Sequence, residues 1–160
     1  MSKIATCLWF DTQGEEAAKF YVDTFRACGQ DASLGDYLYY DENSPKKQGS
    51  VLTVNFTLAG SDYIALNGGP EFKFSPAVSL MVKCKDQAEI DRFWDRLIEG
   101  GGPIECGWLT DRFGFAWQIA PAEIFDMLRD PDKARASRVM QAMMKMVKID
   151  LPTLRKAYEG

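Results

Sequence analysis

The chain repeats itself. Glu16-Ala-Ala-Lys-Phe20-Tyr21 has a counterpart in Glu89-Ile-Asp-Arg-Phe93-Trp94, and Gly60-Ser-Asp-Tyr-Ile-Ala-Leu66 is echoed by Gly114-Phe-Ala-Trp-Gln-Ile119. A segment that recurs once, and is too short each time to enclose a core, predicts two similar modules that complete each other's packing. Each copy predicts the same order of elements. A strand reads from Ile4 to Phe10, with Ile4, Thr6, Leu8 and Phe10 on one side and Ala5, Cys7 and Trp9 on the other. Thr12-Gln-Gly-Glu15 has the spacing of a capping box and opens a helix carrying Ala17, Phe20, Tyr21 and Phe25, which stops near Cys28-Gly29. Residues 30–50 read as irregular, with a short strand at most around Tyr37, Tyr39 and Tyr40. Val51 to Leu58 alternates cleanly as a strand, with Val54, Phe56 and Leu58 opposite Thr53, Asn55 and Thr57. It turns at residues 59–62 and returns through Tyr63 to Asn67-Gly-Gly-Pro70.

In the second copy Val78 to Cys84 is a strand. Asp86-Gln-Ala-Glu89 caps a helix with Ile90, Phe93, Trp94 and Leu97, and Gly100-Gly-Gly-Pro103 ends it. A hairpin follows across the turn Asp111-Arg112-Phe113-Gly114. Its last strand sets Phe115, Trp117 and Ile119 against Ala116 and Gln118, so the Gln118 amide must meet something polar. At that turn Asp111 reads as a backbone hydrogen-bond acceptor and Arg112 as a surface charge. Glu15, Glu16, Glu89 and Asp91 lie at helix starts, where they complement the dipole. No carboxylate pair is spaced for acid–base chemistry.

Beyond residue 120 the pattern is helical. Pro121 to Leu128 is one helix. Asp130-Pro131 starts a second, with Ala136, Val139, Met140, Met143 and Val147 on its apolar side, and Asp150-Leu-Pro152 starts a last one. From Pro131 on there are seven Lys/Arg against three Asp/Glu, in a chain of net charge −4. A basic tail on an acidic body predicts docking on that body or on a second subunit.

Composition removes several chemistries. There is no histidine, which excludes His-containing triads and the usual zinc, iron and copper sites. The four cysteines, Cys7, Cys28, Cys84 and Cys106, have no C-x-x-C spacing and read as reduced, mostly buried thiols. The net acidity speaks against nucleic acid as a partner. No apolar run is long enough to span a membrane, and the start of the chain runs straight into a strand pattern, so a cytoplasmic protein is expected. Neither glycine run lies between a strand and the start of a helix, where a common S-adenosylmethionine site places its loop.

The tandem β-α-β-β-β units, Leu8-Trp9-Phe10, Glu16-Ala-Ala-x-Phe-Tyr21, Asn67-Gly-Gly-Pro70 and Cys106-Gly-Trp-Leu-x-Asp-Arg-x-Gly-x-x-Trp-Gln118 together resemble the PhnB-like branch of the vicinal oxygen chelate superfamily, the glyoxalase, bleomycin-resistance and dioxygenase fold. Proteins of this pattern often carry the label 3-demethylubiquinone-9 3-methyltransferase domain. The resemblance implies an α+β fold over 1–160, a single glyoxalase-like domain with module one at about 1–70, module two at about 75–120 and a helical tail at about 121–160. It also implies a cupped cavity and a homodimer. In metal-using members the ligands come from the first and last strands of each unit, which here fall at Thr6, Ala65, Ser79 and Gln118. Two hydroxyls, one amide and a methyl do not make a divalent site, so no metal and no cofactor are expected.

By strand parity Thr6, Leu8, Phe10, Thr53, Asn55, Tyr63, Ala65, Asn67, Ser79, Met81 and Gln118 face the cup, while Trp9 and Trp117 face the helices. Of these, Thr6, Leu8, Phe10, Asn55, Tyr63, Asn67, Ser79, Met81 and Gln118 are the candidate ligand-binding residues. Apolar walls with a few amides and hydroxyls suit an uncharged or aromatic small molecule. The expected function is metal-free small-molecule binding. The alternatives are an enzyme of the superfamily (a methyltransferase by the label, or a lyase or dioxygenase) and a structural dimer whose cup is filled by its own tail.

Overall fold

The computed structural model describes residues 2–160. The chain forms two compact units, one running to Phe74 and one from Ser75 to Gly160. The first contains β1 (Thr6–Phe10), α1 (Gly14–Ala27), β2 (Ala32–Tyr39), β3 (Val51–Leu58) and β4 (Ser61–Asn67). Its sheet runs β1-β4-β3-β2, with β1 parallel to β4 and the other pairs antiparallel. The second contains β5 (Ser79–Cys84), α2 (Gln87–Leu97), β6 (Gly102–Pro103), β7 (Trp108–Thr110) and β8 (Ala116–Pro121), in the matching order β5-β8-β7-β6. The repeat read from the sequence is thus a repeat of topology. Three helices follow: α3 (Ile124–Leu128), α4 (Lys133–Met143) and α5 (Leu151–Glu159).

Two sequence expectations for strands need correction. Ile4 is 81% exposed and outside β1, which begins at Thr6. The tyrosine segment is a full strand of eight residues, paired along β3 with a bulge where Gly35 and Asp36 stand opposite Asn55.

Each helix covers one face of its own sheet. Ala17, Ala18, Tyr21, Val22 and Phe25 of α1 are buried, and the rings of Tyr21 and Phe56 meet at 6.2 Å. The registers place Leu8, Phe10, Val54, Phe56, Leu58, Ala65 and Asn67 on this same face. In the second unit Ile90, Phe93 and Leu97 of α2 are buried together with Leu109, Trp117 and Ile119.

The start of α1 differs from its sequence reading. No capping box forms at Thr12; the N-cap is Gln13, without a side-chain hydrogen bond. The free amide of Gly14 donates instead to Asn67 Oδ1 at 2.7 Å, while Asn67 Nδ2 donates to the Val51 carbonyl at 3.1 Å and Tyr40 Oη donates to the Asn67 carbonyl at 2.6 Å. A long-range carboxamide satisfies the helix-start donor that a local hydroxyl was expected to take. The adjoining glycine is equally constrained: a Cβ at Gly68 would fall 2.3 Å from the indole of Trp9, whose Nε1 donates to the Gly69 carbonyl at 2.8 Å. Asn67-Gly-Gly-Pro70 is a brace as well as a turn. At α2 the sequence reading holds: Asp86 accepts from the Glu89 amide at 2.8 Å, and Glu89 accepts from the Lys85 amide at 2.7 Å.

The turn before β8 is built on Asp111. Its carboxylate accepts from the amides of Phe113 and Phe115 and from Trp117 Nε1 at 2.8 Å. The residue is buried, which fits the structural reading of this acid.

The tail docks on its own unit. The amides of Cys106 and Gly107 donate to the carbonyls of Met146 and Val147 at 2.8 and 2.7 Å. Gln87 grips the passing chain, donating to the Ile149 carbonyl and accepting from the Leu151 amide. Lys148 pairs with Asp91 at 2.6 Å. Two details depart from expectation. Asp132, not Asp130, caps α4, while Asp130 accepts from the Tyr158 hydroxyl. Of the apolar side expected for that helix, only Val139 is fully buried; Met140 and Val147 are exposed.

Replacing Asn67 by Ala leaves the Gly14 amide and the Val51 carbonyl without their partners, and urea denaturation should report a loss of about 1–3 kcal/mol. Deleting the residues from Pro131 onward uncovers the surface under Ile149, Leu151 and Leu154, each at most 1% exposed; size-exclusion chromatography should show aggregation, and a soluble, unchanged species would contradict the docked tail.

Candidate functional site

Because α1 and α2 each cover one face of a sheet, any site on the strands must use the other face. The registers identify its residues. In the first unit Cys7, Ile64 and Asn55 form one row across β1, β4 and β3, and Asp62, Thr57 and Ser33 form a second across β4, β3 and β2. Leu8, Phe10 and Ala65 go to the core, and Cys7, Asn55, Thr57 and Ser33 go outward together with Ile64 and Trp9.

A groove of about 320 Å³ lies on this face. Asn55, Thr57, Ser33 and Asp62 line it with Ile64 and Ala5, and Asp36 stands at the β2 bulge. Bulges re-aim side chains, and here the bulge brings a carboxylate beside Asn55. Gly35 fits that geometry, because a Cβ there would come 3.3 Å from the Asn55 carbonyl oxygen. Ser33 and Thr57 share a hydroxyl hydrogen bond at 2.9 Å, and Asp62 accepts from the Ser2 amide at 3.0 Å. Asp36 makes no side-chain hydrogen bond or ion pair among the described residues.

The sequence-derived candidates separate accordingly. Asn55 lies in the groove, on the face expected for it, and Tyr63 borders the groove while its ring stacks on Phe56 at 5.2 Å. Burial raises the pKa of the Tyr63 hydroxyl. Leu8 and Phe10 are 3% and 4% exposed and belong to the core. Thr6 and Ala65 share their parity. Asn67 is the brace described above and touches a second cleft, of about 250 Å³, with Asp11, Glu15, Tyr40 and Lys46. Trp9, expected to face the helix, stands on the other side, its ring against Phe72 at 4.9 Å. These reversals have one cause. Asn55 pairs with Ile64, so it cannot share a face with Tyr63 or Ala65, and a slip of one residue moves a whole strand to the opposite side. The residues missed were Cys7, Ser33, Asp36, Asp62 and Ile64. The polar alternation Thr53, Asn55, Thr57 already marked the open face and, once β3 was paired to β4, would have led to most of them.

In the second unit the parity reading stands. Met81, Gln118 and Trp108 form a row on the face away from Trp117, and Gln118 Nε2 donates to Ser79 Oγ at 2.8 Å. The polar partner demanded by Gln118 is therefore Ser79, on the neighbouring strand.

The donor set does not fit a divalent metal. On the open faces the first and last strands of each unit offer Cys7, Ile64 and Asp62 in one case and Ser79, Met81 and Gln118 in the other, neither a set of charged or imidazole ligands around one point. Partial desolvation raises the pKa of the Cys7 thiol, although the residue is exposed. Among the described residues no group of three or more His, Cys, Asp or Glu is arranged to hold an ion. The glycine runs do not fit a nucleotide-type cofactor either: Asn67 occupies the amide at the start of α1, Asp86 occupies one at α2, and a Cβ at Gly101 would meet the Thr110 carbonyl at 2.0 Å.

Comparison with known proteins gives a family. The family profile described as 3-demethylubiquinone-9 3-methyltransferase matches residues 2–120. A PhnB protein from Bacillus cereus is 33% identical over 74% of this chain and 98% of its own, with a TM-score of 0.65. A Pseudomonas aeruginosa protein, 20% identical over 76% of this chain and 98% of its own, shares the fold at a TM-score of 0.60. Among curated proteins none matches.

Gln118→Glu adds one carboxylate beside a single hydroxyl, that of Ser79. Isothermal titration with Mn²⁺ or Zn²⁺ should show no tight, stoichiometric binding by this variant; strong uptake would overturn the ligand assignment.

Proposed function

The chain belongs to the 3-demethylubiquinone-9 3-methyltransferase family, and we propose that within this PhnB-like group it is a metal-independent small-molecule-binding protein whose site is the groove on the open face of the first sheet. The observation that carries this reading is the groove's lining. A concave surface of about 320 Å³ with amide, hydroxyl and carboxylate groups beside Ile64 and Ala5 is the usual make-up of a small-ligand site. The donor sets of both open faces support binding without a metal.

The protein is further proposed to work as a homodimer in the cytoplasm. Met140, Met144 and Val147 of the tail are each exposed, Met144 by 64%, and exposed apolar side chains of this kind suit contact with a second copy. None of the four cysteines is joined in a disulfide among the described residues, which suits a reducing compartment. Among the described residues no helix is long and apolar enough to cross a membrane.

Native mass spectrometry with elemental analysis, on protein purified without added metal, tests the reading. A dimer without stoichiometric metal, carrying a retained small molecule that Asn55→Trp abolishes, is the expected result. A stoichiometric divalent ion, or a retained molecule unaffected by filling the groove, would overturn it.

A further inference from the structure

The groove's polar groups are unbalanced in charge, and the imbalance indicates a ligand class. We infer that the groove takes a small organic cation: a protonated amine on an apolar body, with Asp36 as its counter-ion and the Asn55 amide as a second acceptor. The inference rests on the groove reading above and narrows it.

Three observations support it. First, the lining holds two carboxylates, Asp36 and Asp62, and no lysine or arginine. An anionic ligand would meet repulsion there with no lysine or arginine of the described lining to offset it. Second, the two carboxylates are differently placed. Asp62 already accepts from the Ser2 amide, whereas Asp36 has no side-chain partner among the described residues. Asp36 reaches this face through the bulge, which gives up ladder pairing between Leu34 and Tyr37. A regular strand would present one residue opposite Asn55 instead of Gly35 and Asp36. Third, each remaining polar group can accept hydrogen bonds: the side-chain oxygen of Asn55 and the hydroxyls of Ser33 and Thr57, which bond each other and retain free lone pairs. An ammonium group brings three donors for such acceptors. Ile64 and Ala5 supply the surface for its apolar part. The field of the surrounding unit has the same sign, since residues 1–74 carry ten Asp/Glu and six Lys/Arg.

The test is a two-dimensional amide NMR titration of the intact protein with three probes of one shape, 2-phenylethylamine, 2-phenylethanol and phenylacetate. The amine should shift Gly35, Asn55 and Ile64, bind about fivefold more tightly than the alcohol, as expected for a partly exposed charge pair, and lose that advantage at high salt. Phenylacetate should not bind. Asp36→Asn should bring the amine down to the alcohol's affinity and leave the alcohol unchanged, while Asp36→Glu should keep most of the preference. Equal affinity for amine and alcohol, insensitivity to Asp36→Asn, or binding by none of the three overturns the cation inference and leaves the groove reading in place. Shifts confined to residues outside the groove overturn both.

Discussion

The carboxamide of Asn67 ties three segments of the first unit to one point. Its oxygen takes the amide at the start of α1, its nitrogen reaches the carbonyl at the start of β3, and its own backbone carbonyl receives Tyr40. A helix start carries unsatisfied donors whatever the sequence, so some acceptor has to come to Gly14. Taking it from the end of β4 fixes the height and angle at which α1 crosses the sheet. A Cβ at Gly14 would fall 2.7 Å from that same oxygen, so the glycine is part of the contact. With α1 held in this way one face of the sheet is closed by Tyr21, Val22 and Phe25, and the opposite face is left for function.

The second unit reaches the same arrangement by other means. Its helix is capped locally by Asp86 and Glu89, and its last hairpin is fixed from within by Asp111 and Trp117. The tail then adds a clasp, with Gln87 holding two backbone groups of the passing chain. Two copies of one topology are therefore stabilised by unrelated polar contacts. The helix motif shared by the copies marks the covering helix, and Gly60 and Gly114 mark the returning strand, while neither marks the brace.

What the sequence made legible follows from this. Period and spacing carried the element order, the strand β3, the cap at α2 and the face of β8, because each depends on neighbours within a few residues. The face of β1 and β4 depended on a register between strands more than fifty residues apart, and alternation alone does not say which side a helix will cover. Thr6, Leu8 and Phe10 alternate equally well in either orientation. The cap at Gly14 was hidden for the same reason, since Thr12 had the local chemistry and Asn67 had the geometry. The bulge that brings Asp36 into the groove is marked only by Gly35 in a segment that reads as loop.

The chemistry of the open faces separates what the family profile indicates from what these residues can perform. A metal-assisted reaction needs ligands for the ion, and among the described residues no group of three or more His, Cys, Asp or Glu is arranged to supply them. Binding by shape, hydrogen bonds and charge needs only the groove. That account depends on which face of the first sheet is open, and peptide-resolved maleimide labelling of Ile64→Cys and Ala65→Cys tests it directly. The native thiols serve as references, with Cys7 exposed and Cys28 and Cys84 buried. A thiol at 64 should label at a rate close to that of Cys7, and one at 65 should stay as protected as Cys28. The reverse pattern would place the groove residues in the core and contradict the account.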